Sequence, residues 1–199
     1  MDNHKALVIV DVQNDFCPGG ALGVKEGDKI ISVLNQYIDY FYQKGLPVFA
    51  SRDWHPPKTK HFKKYNGNWP SHCVQNTKGA QFRDSLQLPK RTIIISKGIS
   101  PDSEGYTIFQ GEDAQGVTFE ELLNEESIEQ LYLGGIATDF CVKASVLDGL
   151  RKGYEIKLLV DAIAGVNLKP GDSRAAIEEM TTAGAQKITI DDLITKNGT

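Results

Sequence analysis

The stretch Lys5–Phe16, KALVIVDVQNDF, decides how the rest of the chain is read. Ala6–Val10 is apolar throughout, with no polar alternation, the pattern of a strand covered on both faces as in a parallel sheet. Asp11 then sets a carboxylate directly at the exit of that run. Runs of the same kind recur at Pro47–Ala50, Thr92–Ile95, Leu131–Leu133, Ile156–Val160 and Lys187–Ile190. Helical spacing lies between them. Asp28–Lys44 carries Ile30, Ile31, Leu34, Tyr37, Ile38 and Phe41 on one face, and Gly45 follows as a terminator. Thr118–Glu126 opens with Thr118 and Glu121 at capping-box spacing. Asp139–Lys152 reads as a helix with Thr138 as its N-cap and Gly153 beyond its end, and Ser173–Ala183 stops at Gly184. Strands alternating with helices predict an α/β fold with three layers. The expected sheet is doubly wound, mainly parallel and six-stranded, with helices on both faces, in a single domain over residues 1–199.

Composition narrows the function classes. The 199 residues suit one domain, and 22 Lys and Arg against 26 Asp and Glu leave a net charge of −4. That balance offers no basic field for phosphates, so no nucleic-acid partner is expected. Three cysteines without disulfide-like spacing point to a reducing compartment. The first five residues leave no room for a signal peptide, and no apolar stretch approaches the roughly 20 residues that cross a bilayer. A cytoplasmic protein without a membrane partner is the expectation.

Two segments break the rhythm of short connections: residues 52–90, rich in Pro, His and Lys, and residues 97–117, rich in Gly, Ser and Asp. Each begins at the carboxyl end of a predicted strand, where open α/β sheets bind ligands. Asp11, Asp53 and Lys97 stand at such ends, and Cys141 falls in the first turn of the helix after the fourth strand. A thiol there feels unpaired N–H groups that favour thiolate and can hold an oxyanion. A buried Asp11 has the raised pKa of a base, and Lys97 can hold the charge of both. Singly, each of these residues also reads as ordinary packing or a solvated strand end. Asp53-Trp54-His55 with His72 offers a carboxylate and two imidazoles for a metal, with His61 in the same loop. Phe16, Trp69 and Tyr106 are candidate walls for a small planar ligand. Cys17 and Cys73 read as packing residues and His4 as a solvated terminal one.

These segments together resemble the nicotinamidases of the isochorismatase-like cysteine hydrolase superfamily. The resemblance rests on VDVQNDFCPGG (Val10–Gly20), DWHPP (Asp53–Pro57), WPSHCVQ (Trp69–Gln75), SKG (Ser96–Gly98), GYTIF (Gly105–Phe109) and GGIATDFCVKAS (Gly134–Ser145). It implies Cys141 as nucleophile, Asp11 as its base and Lys97 as their charge partner. It also implies a cis peptide between Ile136 and Ala137, with the N–H groups of Ala137 and Cys141 as oxyanion hole. Asp53, His55 and His72 match the metal ligands, and His61 matches a fourth that only some members use. One divalent ion is implied, zinc first, with iron or manganese as alternatives, and no organic cofactor. Phe16, Trp69 and Tyr106 match the walls around a pyridine ring. The implied substrate is nicotinamide, with pyrazinamide fitting the same slot, and a homo-oligomer is left open. Rival readings are a cysteine hydrolase of another small amide, a hydrolase whose metal activates water, a receiver-like signalling domain, and a silent binding protein.

Overall fold

The computed structural model describes residues 4–195. Its strands are β1 (Lys5–Val10), β2 (Val48–Asp53), β3 (Ile93–Lys97), β4 (Gln130–Ile136), β5 (Glu155–Ala164) and β6 (Gln186–Ile188). The helices are α1 (Ile31–Gln43), α2 (Phe119–Glu125), α3 (Lys143–Arg151), α4 (Asp172–Thr182) and α5 (Ile190–Thr195). All neighbouring strands pair in parallel, in the order β3-β2-β1-β4-β5-β6. The order reverses direction at β1, whose neighbours are β2 and β4, so the crevice beyond these strand ends is the ligand-binding position of such a sheet.

Side chains alternate across each strand and feed two apolar layers. Leu7 and Ile9 of β1 pack with Leu34 and Ile38 of α1 and Leu193 of α5. Ala6, Val8 and Val10 point the other way, toward Phe119 of α2, Val146 of α3 and Met180 of α4. Burial on both faces is why these strands carry unbroken apolar runs. Thr118 caps α2 as expected: its side chain accepts from Glu121 N–H while Glu121 accepts from Thr118 N–H. Gly45 follows α1 at φ 72°, a left-handed conformation that glycine adopts without Cβ strain.

Several boundaries differ from the sequence reading. The helix expected over Asp28–Lys44 starts at Ile31, behind a run of turns. Strands β2, β4 and β5 run past their apolar stretches: β2 ends in Arg52 and Asp53, whose polar groups find partners, and Gly135 and Ile136 of β4 pair with Ile163 and Ala164 of β5. The sixth apolar run divides between β6 and α5, a helix the sequence reading lacked. The helix expected over Asp139–Lys152 is preceded by a π-helical turn over Thr138–Val142, and the Thr138 side chain makes no cap. His4 is not idle, since its Nδ1 bonds to the Ser127 carbonyl at 2.8 Å.

Phe119 is fully buried, with ring contacts to Phe49 at 5.2 Å and Phe109 at 5.1 Å. Phe119→Ala is expected to cost about 3–5 kcal/mol in urea unfolding, the range for truncating a buried aromatic.

Candidate active site

Parallel pairing brings the chemistry to one edge. Asp53 and Lys97 are register partners at the ends of β2 and β3, and Asp11 follows β1, where Val10 pairs with Ser51. Asp11 turns the chain at φ 51°. Beyond β4, the Ile136–Ala137 peptide is cis, and Val142 N–H closes the π turn on the Ala137 carbonyl at 3.0 Å. That turn holds Cys141 over the end of β1.

Lys97 is fully buried and its ammonium is the hub. Nζ lies 2.7 Å from Asp11 Oδ2, 2.5 Å from Asp53 Oδ1, 2.7 Å from the Gly105 carbonyl and 3.7 Å from Cys141 Sγ. Burial alone would push its pKa down, but the two carboxylates outweigh this and hold it well above the usual lysine range. Burial raises the Asp11 pKa; Lys97 opposes that, and the neighbouring Asp53 adds to it. For Asp53 burial acts upward too, but the Lys97 ammonium, helped by the neighbouring imidazoles of His55 and His72, prevails and leaves it well below the carboxylate range.

The Cys141 thiol corrects one expectation. A thiolate favoured by the helix start was expected, but burial and the charges of Asp11 and Asp53 push the thiol well up, against the pull of Lys97. The resting thiol is therefore protonated, with the Asp11 carboxylate close by. Asp11, Asp53 and Cys141 each offer an oxygen or sulfur within 4.8 Å of the others.

On the far side of Asp53 stand three buried imidazoles. One ring nitrogen each from His55, His61 and His72 lies within 4.8 Å of the others, and Asp53 Oδ2 is 3.5 Å from His55 Nε2 and 3.8 Å from His72 Nε2. His55 Nδ1 bonds to the Gly98 carbonyl at 3.1 Å and His72 Nδ1 to the Pro70 carbonyl at 2.8 Å. A carbonyl only accepts, so each Nδ1 carries a proton, and each ring turns its Nε2 to the centre. His55 Nε2 is buried without a hydrogen-bond partner, as an atom awaiting a cation would be. Burial, then the other two imidazoles, push the His61 pKa down to about 4, so this ring is neutral near pH 7. Gly98 sits at φ 66° with room for no side chain, since a Cβ there would lie 2.5 Å from His55 Cε1.

Between these centres opens a narrow slot, about 420 Å³ of empty space when the open solvent at its mouth is counted. Phe16, Trp69 and Tyr106 line it as the sequence suggested, and Ala137 and Cys141 form part of its floor. Phe140 completes the aromatic wall, edge-on to Trp69 at 5.0 Å, and was not singled out in the sequence. Trp69 Nε1–H donates to Tyr106 Oη at 2.8 Å, joining the two long segments across the slot. Two more residues went unread. Ser51 Oγ–H donates to Asp11 Oδ1 at 2.7 Å, and Gln13 grips the Asp53 backbone. Their one signal was a polar residue next to a buried strand end. Cys17 and Cys73 are buried free thiols, in keeping with packing roles.

A sequence model of the isochorismatase domain matches residues 5–192. The chain belongs to the isochorismatase family. It is 39% identical to the nicotinamidase of Escherichia coli (strain K12), an alignment that covers 94% of this chain and 96% of that one. It is 36% identical to the nicotinamidase/pyrazinamidase of Mycobacterium tuberculosis, covering 92% and 98%. The crystal structure of pyrazinamidase of Pyrococcus horikoshii in complex with zinc superposes with a TM-score of 0.85 at 44% identity, over 94% of this chain and 99% of that one. Among the described residues no helix is long and apolar enough to cross a membrane.

Removing the hub should expose its cost. Lys97→Met leaves Asp11 and Asp53 buried without a cation and is expected to destabilise the chelator-treated protein by about 3–5 kcal/mol near pH 7. Both folded carboxyl pKa values then lie above the unfolded value of about 3.9. The folded state binds more protons, so the variant's stability should fall as pH rises from about 4 to 7. Urea unfolding across that range checks the sign.

Proposed function

We propose that this chain is a nicotinamide amidohydrolase: it hydrolyses nicotinamide to nicotinate and ammonia through a cysteine thioester, serves NAD salvage in the cytoplasm as one catalytic domain, and also accepts pyrazinamide. The observation that carries the reading is a buried Cys–Asp–Lys group at the floor of a narrow aromatic slot whose other end is a carboxylate–imidazole cluster. The names of the relatives in Escherichia coli and Mycobacterium tuberculosis support the same substrate class.

Asp53, His55 and His72, with His61 as a fourth ligand, would hold one divalent cation, zinc first among candidates, as the orphaned His55 Nε2 and the zinc-bound Pyrococcus horikoshii relative support. When bound, that cation supplies a fixed positive anchor for the pyridine nitrogen. Phe16, Trp69, Tyr106 and Phe140 hold the ring flat and exclude bulkier amides.

The chemistry follows from the charge balance around Lys97. Asp11, a base strengthened by burial, takes the Cys141 proton, and the negative charge moves from carboxylate to sulfur while Lys97 stays beside both. Sulfur bonds to the carboxamide carbon, and the oxygen takes the charge, held by the N–H groups of Ala137 and Cys141. Asp11 returns its proton to the amine, the C–N bond breaks and ammonia leaves. Water then attacks the thioester carbon as Asp11 takes its proton; the C–S bond breaks, sulfur recovers a proton from Asp11, and the acid departs.

Ammonia release from nicotinamide and pyrazinamide tests the proposal directly, and no release by the metal-loaded protein would overturn it. Cys141→Ala is expected to lower kcat at least about 1,000-fold, as loss of a nucleophile does elsewhere; near-normal turnover would point to metal-activated water instead. Removing metal with a chelator should abolish turnover of nicotinamide, and added zinc should restore it; elemental analysis identifies the native ion.

A further inference from the structure

The candidate ligands all fall between Asp53 and His72, yet both of these are referenced to one short segment distant in sequence, Gln13–Phe16. Gln13 is fully buried. Its Oε1 accepts from Asp53 N–H at 2.8 Å, and its Nε2 donates to the carbonyls of Asp53 at 2.8 Å and Ala80 at 2.9 Å. One amide thus satisfies both backbone groups of the residue whose carboxylate divides between Lys97 and the imidazoles. A side chain of that length must both donate and accept to do this, which glutamine does and an ionised glutamate or a methionine does not. Two residues on, Asp15 Oδ2 accepts from the N–H of Cys73 at 2.8 Å, fixing the peptide that carries His72, and the Phe16 ring lies 5.4 Å from the His72 ring. The segment is itself held by Asn14 N–H on the Gln81 carbonyl at 2.9 Å and Asp15 N–H on the Gly79 carbonyl at 3.0 Å.

From this geometry we infer that Gln13 and Asp15 are positioning residues, Gln13 for Asp53 and Asp15 for His72, that preset the ligand arrangement before any ion arrives. The inference rests on the metal site proposed above and assigns neither residue a contact with substrate.

Cobalt(II) serves as the probe, loaded into chelator-treated wild type, Gln13→Met, Asp15→Ala and Asp15→Asn. Gln13→Met is expected to shift the visible cobalt spectrum and speed cobalt release to a chelator by about 10–100-fold, the usual effect of losing an outer partner of a ligand. Asp15→Ala should do the same, and Asp15→Asn, whose amide oxygen still accepts from Cys73 N–H, should restore the wild-type spectrum and release rate. Circular dichroism separates this from unfolding, which would not leave a native spectrum with altered cobalt bands. Folded variants with wild-type cobalt bands and release rates overturn the inference while leaving the metal site standing. Wild type that takes up no cobalt overturns the metal site and the inference together. If Gln13→Met does not fold, the Asp15 pair decides: equal behaviour of Ala and Asn overturns it.

Discussion

A single ammonium buried among carboxylates governs this molecule. Lys97 has no exposure to water, and its nitrogen is surrounded by Asp11, Asp53 and the Gly105 carbonyl at hydrogen-bond range. A buried cation persists only when its donors are taken up and its charge is met. Here the answering charges come from the ends of two other strands, so the need to satisfy one nitrogen fixes how β1, β2 and β3 present their termini. Asp53 extends the constraint: one oxygen answers the ammonium and the other faces His55 and His72. The Lys97 ion cluster and the imidazole cluster are one electrostatic unit sharing a carboxylate.

The same balance accounts for the neutral thiol. Two negative groups and one positive one leave no surplus to stabilise a thiolate at rest, whatever the helix behind Cys141 contributes. A proton passed from sulfur to Asp11 would leave the site's total charge unchanged. Burial therefore acts on both groups in the same sense, raising the carboxyl and the thiol together.

Much of the fold was legible because burial on both faces writes itself as unbroken apolar runs, as in Ala6–Val10. Legibility failed where the cause lay elsewhere. Ser51–Asp53 belongs to β2 but looks like loop, since these residues serve the crevice rather than the core. The π turn over Thr138–Val142 has no periodic signature, since it is closed by backbone bonds such as that from Val142 to Ala137. In the site, residues that act through side chains stood out: Asp11, Asp53, His55, His61, His72, Lys97 and Cys141 all converge. Gln13 stayed hidden because it acts on backbone groups, which every residue possesses and no sequence pattern marks.

The bond between Trp69 and Tyr106 divides the molecule's labour in a way that bears on its evolvability. Asp11, Asp53, Lys97 and Cys141 belong to strand ends and the turn after β4, whereas this clasp joins two long connecting segments, which are tied again where Thr59 and Lys60 bond to the Pro101 carbonyl. The outer wall of the slot is thus a module pinned to itself. Insertions or deletions in those segments that spare Gly105, whose carbonyl bonds to Lys97, can resize the aperture while the carboxylates at the strand ends keep their cation. The shape of the opening and the charge balance beneath it are thus heritable largely separately, with Gly105 the point at which they meet.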